Sequence, residues 1–211
     1  MRRIQRIQPS PHVQGRYLVF WEDETVLKVT EDELLRFSLC AGQALEETTL
    51  QQLTQQADRS HARAAAARML GTRALSKGEL VEKLLQKGHK RENAQAAADY
   101  MEEIGAVNDG QYAKLLARHY AGRGYGVRKI QSEFHRRKLP REYWADALAE
   151  VETPADVIDR LMEKKLRGKL PDRNELRRVS AFLARRGFSW SEIQAGLSRY
   201  ADTQDEFEPY P

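Results

Sequence analysis

Sulfur chemistry is nearly missing from this chain. Its one cysteine, Cys40, has no partner for an internal disulfide and rules out a cysteine-rich zinc site. No stretch approaches the roughly 18 consecutive apolar residues of a membrane-spanning helix. The basic start MRRIQRIQPS lacks the apolar segment of a secretion signal. These absences point to a cytoplasmic protein. Catalytic patterns are missing as well: there is no G-x-x-x-x-G-K-[ST] phosphate loop. AGRGYGVRK is glycine-rich and precedes a helix, but no strand leads into it, so it reads as an inter-helix turn rather than a phosphate cradle. His12, His61, His89, His119 and His135 show no H-x-x-x-H spacing. Glu102 and Glu103 sit where solvated helix acids are expected, and Cys40 reads as a small core residue on an apolar helix. Nothing assembles a nucleophile, a base and an oxyanion site. The expectation is a binding protein, not an enzyme, with no cofactor and no metal.

Charge is what the chain has in quantity. Of 211 residues 31% are charged and 41% hydrophobic, too many apolar side chains for disorder throughout. The net charge is only +4, but it is unevenly placed. Arg118–Arg141 holds eight Lys/Arg against one acid, and Arg160–Arg186 holds ten against three, while the end, ADTQDEFEPYP, is acidic. Basic blocks of this kind suit nucleic acid or an acidic protein surface.

Two periodicities divide the chain. IQRIQ, RYLVFW and TVLKVT are β-rich runs around an acidic turn, predicting a hairpin with a third strand over residues 1–45. A lone hairpin is marginal, so it should pack on the helix that follows, outside the helical array. Thr30 and Glu33 form a capping box, and Leu34, Leu35 and Leu39 give a short helix ending near Gly42. From Glu46 the period becomes helical, and a phrase recurs three times. SKGELVEKLLQKG carries Ser76 and Glu79 as a cap, Leu80, Leu84 and Leu85 inward and Gly88 as stop. GVRKIQSEFHRRK repeats the spacing with Val127, Ile130 and Phe134, and ELRRVSAFLARRG with Leu176, Val179 and Leu183. Flanking helices supply Ala94, Ala97, Ala98, Met101 and Ile104; Tyr112, Leu115, Leu116 and His119; Tyr143, Trp144, Ala147, Leu148 and Val151; Val157, Ile158, Leu161 and Met162; and Trp190, Ile193, Leu197 and Tyr200. Asp172 and Glu175 cap a third-repeat middle helix one turn longer. The expected fold is mainly α: an elongated, curved array of three tandem three-helix repeats with a small N-terminal β-hairpin appendage. Its parts are residues 1–45, a linking helix and first repeat over 46–106, repeats at 107–152 and 153–201, and an acidic tail at 202–211.

A groove-reading helix-turn-helix is disfavoured, because the helix after RRGFS carries apolar packing residues where a base reader needs polar ones. Phosphate contact by the basic blocks stays open. The candidate partner- or DNA-binding residues are Arg118, Arg123, Arg128, Lys129, Arg136, Arg137 and Lys138 in the second repeat. The third repeat adds Arg177, Arg178, Arg185 and Arg186. Val127, Ile130 and Phe134 must face inward, which turns several of the second-repeat cations outward together.

Three patterns in order resemble the RecX family of RecA regulators. They are R-x-x-S-x-x-E-L-x-x-x-L-x-x-K-G at Arg73, Ser76, Glu79, Leu80, Leu84, Lys87 and Gly88; the run with Asp109, Tyr112, Ala113, Arg118, Gly126 and Ile130; and L-x-x-R-G-F-S-x-x-x-I at Leu183, Arg186, Gly187, Phe188, Ser189 and Ile193. The resemblance covers about residues 60–200 and extends to YLVFWEDE and LCAG. His89 and Lys138 depart from the family pattern, the latter where a glycine is usual. The resemblance implies an elongated three-repeat helical protein that lies in the groove of the RecA–DNA filament, bridges protomers, limits filament growth or stability, and lowers ATPase, strand-exchange and coprotease activity; the chain itself is expected to be a monomer. It implies no catalytic residues. Two alternatives remain: a non-specific DNA-binding protein, or a helical-repeat adaptor, each acting without RecA.

Overall fold

The computed structural model describes residues 1–151, 153–167 and 171–205. Contacts divide the chain into two units, Met1–Ala74 with Leu80–Val107, and Leu75–Glu79 with everything from Asn108 onward. Of the expected acidic tail, residues 206–211 lie outside the described residues, and its first residues continue the last helix.

In the first unit, β1 (Arg2–Pro9), β2 (Arg16–Trp21), β3 (Val26–Thr30) and the short β4 (Ala44–Leu45) form an antiparallel sheet in the order β3-β2-β1-β4. Alternation decides the faces. Tyr17, Val19 and Trp21 of β2 join the core, while Leu18 and Phe20 do not. Strict alternation would put Ile4 and Ile7 on opposite faces, yet both meet this core. A register shift between Ile4 and Arg6 explains it, since one extra residue restores the phase.

The expected capping box is present at α1 (Glu31–Arg36): the Glu33 amide donates to Thr30 Oγ1 at 3.3 Å, and the Thr30 amide donates to Glu33 Oε2 at 2.8 Å. The helix is shorter than expected, which corrects two expectations. Cys40 lies beyond it and is exposed rather than a core residue on a helix. Leu35 is 70% exposed, because Leu34 and Leu39 already occupy the buried side. The sheet then closes over α2 (Glu47–Leu70), whose Leu53 and Ala57 share its core with Leu50 beside them. The N-terminal segment therefore packs on the next helix, as a marginal sheet must. Farther along, α2 buries Ala62, Ala65 and Ala66, and it packs on α4 (Arg91–Glu103) through small side chains, Ala94, Ala97 and Ala98. On α3 (Lys77–Gln86), Leu80 and Leu84 are buried, and Gly88 at φ +86° ends the run. Ile104, counted inward, is 55% exposed, since α4 ends at Glu103.

The second unit holds two cores. The first comes from α5 (Asp109–Gly122), α6 (Val127–Arg136), a 3-10 turn at Arg141–Tyr143 and the short α7 (Trp144–Ala149). Tyr112, Ala113, Leu116, Ala117, Ile130, Phe134, Leu139 and Ala147 fill it. That phase puts Leu115, 58% exposed, and His119 on the solvent side of α5, correcting their assignment inward. The other core comes from α8 (Pro154–Leu166), α9 (Arg173–Arg185) and α10 (Trp190–Asp205), with Val157, Ile158, Met162, Val179, Leu183 and Ile193 inside. Trp190, expected in this stripe, opens α10 and is 61% exposed. α9 has 13 residues to the 10 of α6 and begins at the expected Asp172–Glu175 capping box.

One joint occurs twice in this unit. The Gly126 amide donates to the Arg186 carbonyl at 2.8 Å and the Arg128 amide to the Gly187 carbonyl at 3.2 Å. The start of α6 thus sits on the turn that ends α9. Likewise Ser76 Oγ donates to the Arg137 carbonyl while accepting from the Glu79 amide, so the Leu75–Glu79 segment sits on the turn that ends α6. Both turns are left-handed, Gly187 at φ +91° and Lys138 at φ +54°. Lysine stands where the family pattern has glycine, and the backbone keeps the glycine conformation.

Candidate partner-binding surface

The sequence nominates eleven cations, and they prove to have different roles. On α6, Glu133 is nearly buried and gathers two of them. Arg136 donates to its Oε2 through Nε at 3.0 Å and Nη2 at 2.6 Å, and Lys129 Nζ lies 3.4 Å from its Oε1. Burial would raise the Glu133 carboxyl, but the Arg136 guanidinium, with the Tyr120 hydroxyl and Lys129, outweighs it and holds the group below the usual carboxylate range. Arg128 is exposed in the first turn of α6, and Lys138 is exposed on its left-handed turn.

Arg137 is a packing residue. Its Nη1 donates to the Tyr112 hydroxyl at 2.6 Å, its guanidinium lies 5.8 Å from that ring's centroid, and its carbonyl accepts from Ser76. Arg186 has the same character one joint later. Its Nη1 donates to the carbonyls of Arg123 at 2.5 Å and Gly124 at 3.0 Å, and its guanidinium stands 5.1 Å from the Tyr125 centroid and 4.8 Å from that of Phe182. Arg123 is exposed at the end of α5, and its carbonyl is the part used here. Arg118 meets Glu150 at 3.5 Å, but Lys114, which sequence reasoning missed, holds that carboxylate at 2.5 Å. The Lys114 hydrogen bond is the main cause of the lowered Glu150 carboxyl.

Arg177, Arg178 and Arg185 are exposed on α9, with no ion pair among the described residues. Beside them stand Lys164 and Lys165 in the last turn of α8 and Arg167 just past it. These three lay in the counted basic block without being singled out. Only the packing of α8 on α9 brings them to the same place. Among the described residues, exposed cations thus gather on the α8–α9 pair as well as on α6, to which the sequence pointed first. Such a surface offers hydrogen-bond donors and positive charge. Among the described residues, no group of three or more His, Cys, Asp or Glu side chains could hold a metal ion, and no helix is long and apolar enough to cross a membrane.

Residues 154–197, which include that surface, match the family model described as RecX, third three-helix domain. A regulatory protein RecX from Pelodictyon phaeoclathratiforme is 31% identical over 135 residues, 63% of this chain and 84% of the relative. The chain belongs to the RecX family. A RecX of Halorhodospira halophila is 30% identical over 150 residues, 70% of this chain and 92% of that one. The RecX of Lactobacillus delbrueckii, 28% identical over 198 residues, spans 92% of this chain and 73% of its own length. A crystal structure of a regulatory protein RecX superposes with a TM-score of 0.69 at 20% identity, over 94% of this chain and all of that one, and so shares the fold. These RecX relatives carry the name of regulatory proteins rather than of enzymes.

Proposed function

We propose that this RecX-family chain is a non-catalytic modulator of the RecA recombinase. It binds in the groove of the RecA–DNA filament and limits filament growth or stability, which lowers ATPase, strand-exchange and coprotease activity. The observation that carries the reading is family membership together with the exposed cations of α6 and α9. Arg128, Arg136 and Lys138 near the two ends of α6, with Arg118 on α5, form the proposed RecA-facing set. Arg137 and Arg186 position their neighbours rather than meet the partner.

Titrating the protein into RecA and single-stranded DNA, with ATP hydrolysis as readout, tests the reading. Hydrolysis should fall, and Arg128→Glu with Arg136→Glu should weaken the effect while the circular dichroism stays native. Hydrolysis unchanged at saturating protein would refute a RecA role. The uncommitted cations of α9 favour a second reading, direct nucleic-acid binding that needs no RecA; its mark is salt-sensitive binding with RecA activity untouched. A general helical adaptor would instead co-purify with a partner other than RecA.

A further inference from the structure

The α8–α9 pair holds two cavities that share a wall. One, of about 320 Å3, is lined by Lys165, Leu166, Glu175, Arg178, Val179, Phe182 and Arg185. The other, of about 400 Å3, is lined by Leu161, Lys164, Lys165, Arg167, Phe182 and Arg186. Lys165 and Phe182 belong to both. The Phe182 ring has Lys165 Nζ 4.7 Å and Arg186 Cζ 4.8 Å from its centroid. A ring held this way fixes the two cations flanking it, lowering the entropy either would lose on meeting an anion.

The charge balance is one-sided. Among the described residues, six cations line the two cavities against one acid, Glu175. That carboxylate is already engaged, because its Oε2 accepts from the Asp172 amide at 3.1 Å as part of the α9 cap. Arg178, Phe182, Arg185 and Arg186 follow helical spacing, so α9 presents them on one side. Like charges gathered around a single engaged acid repel, and a polyanion relieves that cost.

The geometry points to a phosphodiester-binding site here, which takes consecutive phosphates of a nucleic-acid strand in adjoining pockets on either side of Phe182. Guanidinium groups match phosphate oxygens with paired donors, better than a lone carboxylate requires. Leu161, Leu166 and Val179 give the walls apolar patches that suit the sugars between phosphates. A nucleoside triphosphate is a poor fit, because among the lining residues only the engaged Glu175 could hold its magnesium. The inference deepens the proposed role by giving the filament's DNA a contact separate from the RecA-facing set on α5 and α6.

Fluorescence anisotropy of the full chain with a labelled single-stranded oligonucleotide, repeated with its duplex, tests the site. Lys165→Glu with Arg178→Glu should weaken binding about tenfold or more and flatten the salt dependence by about one to two units of logarithmic slope, the loss of two phosphate contacts. Arg59→Glu, exposed on α2 and outside the groove, should leave most of the binding in place. If the double reversal disturbs the circular dichroism, Arg178→Gln alone should still reduce the slope by about 0.7. Inorganic phosphate should displace the oligonucleotide only at millimolar levels; displacement as effective per phosphate as by DNA would make this a free-phosphate site and overturn the inference. Unchanged affinity and slope in the reversals would overturn it also, as would loss of binding to DNA-free RecA, which would make the groove a protein contact. A wild-type chain that binds DNA through this groove and leaves RecA hydrolysis untouched would instead sink the proposed function and keep the site.

Discussion

Gly126→Ala should open the joint between α6 and the turn after α9. A methyl built there would lie 2.6 Å from the Gly187 carbonyl oxygen and 2.7 Å from its carbon, both backbone atoms that cannot swing aside. Relief requires the two segments to part, which weakens the bonds from Gly126 to Arg186 and from Arg128 to Gly187. At about 1 kcal/mol for each of the two hydrogen bonds, with about 1–2 kcal/mol for the displaced packing, the loss is about 3–4 kcal/mol. For a chain of this size that lowers the thermal midpoint by about 5–15 °C. Gly122→Ala, four residues earlier, is the control. A methyl there meets nothing within 4 Å, and the position is helical, so alanine should be neutral or stabilise by up to about 1 kcal/mol. Thermal unfolding followed by circular dichroism compares the two. Equal midpoints for Gly126→Ala and Gly122→Ala would refute the joint as a source of stability.

Leu84→Ala and Leu183→Ala, both at fully buried positions of the middle helices, should each cost about 2–5 kcal/mol in denaturant unfolding; a neutral result at either would break the repeat register. Stability should also depend on pH through His61. Burial, its largest influence, holds this imidazole below the ordinary 6.5, with Arg16 pushing the same way, and its Nε2 is buried without a partner among the described residues. The unfolded chain takes up a proton near 6.5 while the folded one does not, so stability is full above that value and declines as pH falls through it towards the lowered folded value. His61→Phe should flatten the decline between about pH 7 and 5, provided the fold is kept; an unchanged slope would assign the dependence to other groups.

Several features were legible in the sequence because their causes are local. Apolar spacing fixed the inward faces of the middle helices at Leu84, Ile130 and Leu183. The Thr30 and Asp172 capping boxes, the Ser76 cap and the stop at Gly88 depend on neighbours three or four residues away, so the pattern states them almost completely. Family membership followed from the same repeated phrase. Tertiary packing decided the rest. Ile104, Leu115 and Trp190 look like core residues by type, but the phase or the end of a helix puts each in solvent. The β1 bulge that turns both Ile4 and Ile7 inward depends on pairing with β2, which no single strand can specify. Above all, the eleven nominated cations are alike in sequence. Arg137 is spent on Tyr112 and Arg186 on two carbonyls and two rings, through partners up to 63 residues away. Charge can be counted along a chain, but whether a cation is free to meet a partner depends on which acids, rings and carbonyls the fold brings within reach.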